Sequence, residues 1–224
     1  MASASSVLAD DSLVSRLDRR LFRVEGWLAL VSGLAVFSLM LLAVVSVGGR
    51  NFFGQPLPGY VDWIEQAMPL IALSGIAFVQ RLGGHIRMDI VVGMLKGRAL
   101  WVTEFVTAFL VLLLVIVLIY GSWAHFQRSF DFAAPLWSRD SSIDIALPLW
   151  PAKLVVPVAL FILGLRLVLQ LFAYGRAIAS GTASPVAVPL IEDAATQASR
   201  EAESVHDVRV DEETVRDTPQ DRTL

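Results

Sequence analysis

Two of the chain's three histidines are placed where they could hold a cofactor. His85 and His125 flank long apolar runs, and paired histidines on apolar helices ligate haem in membrane electron-transfer subunits. Such a pair needs both rings at similar depth. His85 follows the second apolar run and His125 the third, so a bilayer would separate them, while His206 falls in a polar tail. Within the apolar runs no His or carboxylate pair recurs at i, i+4 with a third ligand nearby, which argues against a zinc site there. No G-x-S-x-G elbow positions a serine for attack. With no cysteine in 224 residues, thiolate metal sites, thiol redox chemistry and disulfide scaffolds are excluded. The expectation is a protein that is not an enzyme and carries no cofactor.

The remaining chemistry lies in charges set inside or beside apolar runs, where an ionisable group is by default a functional candidate. Glu104 stands near the start of the third run and Arg166 at comparable depth in the fourth. The two could pair, or Arg166 could snorkel while Glu104 sits among headgroups. On the opposite side, Asp62 and Glu65 open the second run, where they could meet Lys153 or Arg50 or simply face water.

The elements that must carry these groups are membrane helices. The chain is 55% hydrophobic with only 17% charged residues and a mean hydropathy of +0.63, too apolar for an ordinary soluble domain. Four runs, over about residues 26–47, 61–80, 101–120 and 149–172, each approach the roughly 20 residues that cross about 30 Å of hydrocarbon. Backbone groups in lipid must close their hydrogen bonds internally, so the fold class is an all-α four-transmembrane-helix bundle occupying residues 26–175. Trp27, Trp63, Trp101, Trp123 and Trp150, with Tyr60, Tyr120 and Tyr174, lie near the ends of these runs, as an interfacial aromatic belt would. Trp137 falls in the longest connection. Ser74, Gly75 and Gly164 read as close-packing positions between helices.

Orientation follows from the basic flanks. Arg16, Arg19, Arg20 and Arg23 precede the first run, and Arg81, Arg87, Lys96 and Arg98 lie between the second and third, so both termini are expected in the cytoplasm. Residues 1–25 are expected to form a retained cytoplasmic segment. Leu13, Val14, Leu17, Leu21 and Val24 recur in it at helical spacing, as in an amphipathic helix on the inner leaflet or a plain extension of the first span. Residues 176–224 are polar, contain Pro185 and Pro189, and are expected to be a disordered cytoplasmic tail.

The segment Arg81-Leu82-Gly83-Gly84-His85-Ile86-Arg87-Met88-Asp89 is similar to the G-x-H-I-R-x-D loop of the small membrane subunits (DctQ-type) of tripartite ATP-independent periplasmic (TRAP) transporters. Arg50-Asn51-Phe52-Phe53, Trp63-Ile64-Glu65 and Ile145-Ala146-Leu147-Pro148-Leu149-Trp150-Pro151 resemble the family's helix junctions in order and spacing. Gln66 departs from the pattern, where many relatives carry a second acid. The resemblance implies a bacterial inner-membrane subunit partnered by a large permease subunit and a periplasmic substrate-binding protein, in cation-coupled, commonly sodium-driven, uptake of organic acids. Membrane lipid is the other expected partner, and nucleic acid is not one. Glu65, Gly83, Gly84, His85, Arg87, Asp89, Glu104, Arg166 and Trp137 are the structural or interface candidates. The competing reading is a membrane anchor subunit of an oxidoreductase.

By residue type alone, Gly83 and Gly84 permit a tight turn, and Arg87 and Asp89 could pair or cap the following helix.

Overall fold

The computed structural model describes residues 13–81 and 98–180. Helix α1 runs Leu13–Phe53, α2 Tyr60–Ser74, α3 Ile76–Arg81, α4 Arg98–Ser129 and α5 Trp150–Ser180, with one 3-10 turn at Pro135–Trp137. The chain is all-helical over the described residues.

Three of these helices, α1, α4 and α5, are long and apolar enough to cross a membrane. The second expected span is divided into α2 and α3 at Gly75. A Cβ at Gly75 would meet nothing, so this glycine marks the break and not the close packing that its sequence context suggests. Pro69, inside α2, adds a second weak point because it has no N–H to donate back along the helix. Gly164 does pack closely, with Val115 and Ile119 within 3.8 Å of where its Cβ would stand.

Helix α1 continues without interruption through the arginine-rich segment into the apolar run. Its 41 residues extend about 60 Å at 1.5 Å per residue, about twice the hydrocarbon thickness. Gly54, at φ +71°, ends it, donating its N–H to the Arg50 carbonyl in the left-handed conformation that only glycine adopts cheaply.

The core is the seam of α4 and α5, closed by α3. Val115, Leu160, Leu163, Leu167 and Ala77 form it, flanked by Leu112, Ile119 and Val156. Trp101 and Tyr174 belong to this interior as well. They are only 4% and 2% exposed and stack at 6.1 Å between centroids. Their sequence positions place both in the interfacial belt; neighbouring helices cover them instead. Trp27, Trp63 and Trp123 are exposed, and Phe37, Val44, Leu114 and Val117 leave broad apolar flanks on α1 and α4.

Candidate functional site

Polar side chains gather at the two ends of the bundle. At the end where α1 begins and α3 finishes, Arg166 is fully buried on a helix that otherwise packs Leu163 and Leu167. A lone guanidinium there would be very costly, and acids from α1 neutralise it. Its Nε and Nη2 donate to the two carboxylate oxygens of Glu25 at 2.7 and 2.6 Å, a bidentate fork. Its Nη1 donates to Asp18. Asp18 also accepts from Arg81 Nε at 3.2 Å and Nη2 at 2.8 Å. Two acids and two arginines thus make a neutral lattice joining α1, α3 and α5. The Arg81 guanidinium lies 4.0 Å over the Phe22 ring, a cation–π contact, and Phe22 stacks on Phe78. One turn beyond Arg166, Gln170 accepts from Gln80 Nε2 at 3.0 Å.

Arg166 therefore pairs with Asp18 and Glu25, and not with Glu104, and it does not snorkel. Glu104, only 9% exposed, accepts from the Tyr174 hydroxyl at 3.3 Å.

At the opposite end, residues 130–149 fold into an ordered connection over α2 and α5. Asp62 is buried and collects three donors, the Ser142 hydroxyl at 2.6 Å and the backbone N–H groups of Asp144 and Ile145 at 3.2 and 2.8 Å. The expected contacts of Asp62 with Lys153, Arg50 or water are replaced by this loop clasp. Lys153 reaches Asp140 at 2.6 Å and Ser129 at 3.0 Å. Gln66 donates its amide to the Pro148 carbonyl at 2.8 Å, a bond that an ionised acid at this position could not make. Glu65 is exposed beside it.

The loop carries backbone strain. Leu136, Trp137 and Ala146 adopt φ of 54°, 57° and 53°, a region that costs an L-residue about 1–2 kcal/mol. Tertiary bonds hold it there, including Trp150 Nε1 donating to the Leu136 carbonyl at 3.1 Å. Gly59, at φ +71°, lies directly under Ile145, where any Cβ would collide. Phe126, Phe130 and Trp150 underpin the loop, while Phe132, Leu136 and Trp137 are 78%, 70% and 52% exposed. Asp131 and Asp140 lie on this loop, and both carboxyls are held below the usual range. For Asp131 the cause is first the Ala133 N–H and then Arg139, and for Asp140 first Lys153 and then Ser129.

The family described as tripartite ATP-independent periplasmic transporters, DctQ component, matches residues 39–174. The chain belongs to the DctQ family. No curated protein matches it. The matched stretch of this DctQ chain takes in the whole loop platform and the Arg81 and Arg166 half of the lattice, and begins after Asp18 and Glu25. Gly83, Gly84, His85, Arg87 and Asp89, which carry the most specific part of the sequence resemblance, lie outside the described residues.

The sequence flags Arg166 without locating its partners. The available signal is that Asp18 and Glu25 stand seven residues apart, two helical turns on one face, among arginines.

Proposed function

We propose that this DctQ chain is the small, non-catalytic membrane subunit of a binding-protein-dependent transporter, crossing the bacterial inner membrane four times with both termini in the cytoplasm. The divided α2–α3 segment is the second crossing. Its partners are a large permease subunit and a periplasmic substrate-binding protein, and transport is cation-coupled, commonly by sodium, with organic acids as the substrate class. The observation that carries this reading is the family match over 39–174. Among the described residues the ion pairs lie toward the two ends of the bundle, which suits a frame better than a translocation path, since a path needs polar groups at mid-membrane.

In this reading the apolar flanks of α1 and α4 bind the static part of the large subunit, so that its moving part travels against a wider fixed frame. Deleting this chain alone should abolish uptake while the other two components are still made; undiminished uptake would overturn the scaffold role. The strained loop is the docking surface for the binding protein, with Phe132 and Trp137 as the contacts and Phe126 and Phe130 as their support. Phe132→Ala with Trp137→Ala should weaken docking about tenfold or more with subunit assembly intact. Unchanged docking would refute this assignment.

A further inference from the structure

The opening turns of α1 separate charge by face. Residues 13–25 contain four arginines and two acids, so the sequence there is mixed. In the fold, Asp18 and Glu25 are 3% and 0% exposed, neutralised by Arg81 and Arg166. What α1 presents outward is Arg19, Arg20 and Arg23, all exposed, beside an exposed Arg16. Apolar groups share this surface, since Leu17, Val24 and Trp27 are 54%, 48% and 69% exposed. Leu17, Arg20, Val24 and Trp27 follow a 3-4-3 spacing and so form one stripe.

Depth selects the partner. At 1.5 Å per residue, Arg23 to Arg19 lie about 5–10 Å along the axis before Gly26, where the apolar run begins. The polar layer of a bilayer is about 5–8 Å deep on each side. Guanidinium groups at that level meet the phosphodiesters of lipid headgroups, which they bind through paired N–H donors. Interleaved apolar side chains and a tryptophan are the composition that settles at that boundary.

We propose that the outer face of α1 around Arg19, Arg20 and Arg23 binds anionic phospholipid headgroups, and that the buried lattice keeps Asp18 and Glu25 from repelling them. This rests on α1 crossing the membrane, and not on the transport role.

The test uses the full chain in nanodiscs made from equal parts phosphatidylglycerol and phosphatidylcholine, extracted gently and assayed for retained lipid. The wild type should retain phosphatidylglycerol in excess. The combined Arg19→Gln, Arg20→Gln and Arg23→Gln variant should lose that preference by about fivefold per surface cation removed, roughly a hundredfold in all, with helical circular dichroism unchanged. The corresponding triple lysine variant should keep most of it, and Arg20→Gln alone should give a partial loss. Equal excess in the glutamine variant, or none in the wild type, overturns the proposal. Displacement by inorganic phosphate would make this a phosphate site and overturn the lipid assignment. If the glutamine variant, purified from its native membrane, loses a subunit that accompanies the wild type while lipid retention in nanodiscs is unchanged, the face is a protein contact and the lipid assignment is overturned equally. A chain that never enters the nanodisc fails the membrane reading itself, which is a separate result.

Discussion

The two polar ends of this bundle are tied together by different chemistry. Around Arg166, side chains from three helices neutralise one another in a largely buried cluster. Around Asp62 a single connection supplies a hydroxyl and two backbone N–H groups, and Asp140 of that connection is held by Ser129 at the end of α4 and by Lys153 of α5. The first arrangement sets how helices pack, because a buried charge is tolerable only while its partners are present. The second sets the shape of one surface and leaves the packing of the helices to their apolar seam. Damage at the lattice should therefore spread through the bundle, and damage at the loop should stay local.

The largest effect is expected at the lattice. Glu25→Leu strands Arg166 with one partner fewer and should cost about 3–5 kcal/mol, read as a lower melting temperature and yield in detergent. Adding Arg166→Met should recover much of that loss, since removing both charges also removes their desolvation. If the double variant is no better than the single, the lattice is not behaving as a coupled pair.

A smaller effect is expected at Gly59. Replacing it with alanine imposes an unfavourable φ worth about 1–2 kcal/mol and pushes Ile145 aside. If the loop docks the binding protein as proposed, that docking should fall more than bundle stability does; an equal fall in both would mean that the loop is not an independent unit.

Smaller again is Asp62→Ala, which leaves Ser142 and the Asp144 and Ile145 amides without their acceptor. Hydrogen exchange should quicken across residues 142–147 while α4 and α5 keep their protection. Quickening throughout the bundle would erase the distinction between the two ends.

The mildest perturbation is acid. The Asp131 and Asp140 carboxyls lie below their ordinary values in the folded loop, so their contribution is complete above the usual carboxylate pKa of about 4. It is lost as pH falls through the depressed values. Tryptophan emission from Trp137 and Trp150 should shift in that acidic window in nanodiscs, with helicity retained. A shift centred near neutral pH would point to another group.

Much of the helical layout was legible because span length is a local property. About 20 apolar residues in a row mark a crossing helix whatever their neighbours do, and α1, α4 and α5 contain the expected runs. The glycine readings divide instructively. Gly164 lies against Val115 and Ile119, whereas Gly75 faces open space at a helix break, and no local pattern separates the two cases. Trp101 and Tyr174 carry the composition of an interfacial belt yet are buried, because the facing helix decides whether a ring meets lipid or protein.

The candidate site was less legible. Arg166 could be singled out because a cation in an apolar run is rare, but Glu25 lies 141 residues away in the chain, and pairing at that distance leaves no mark in spacing. Asp62 reads as a helix-end acid that could meet Lys153 or Arg50 or face water, because nothing in the sequence says that residues 142–147 return over it.

The sequence alone determined the apolar run lengths, the absence of thiol chemistry and the family, since each depends on which residues are present and in what order. Only the tertiary structure decided that Asp18 and Glu25 turn inward to Arg81 and Arg166, that the arginines of α1 are left facing out, and that a strained loop closes over Asp62. Those outcomes depend on which helix faces which, and the penalty for burying an unpaired charge enforces them only once the helices have met.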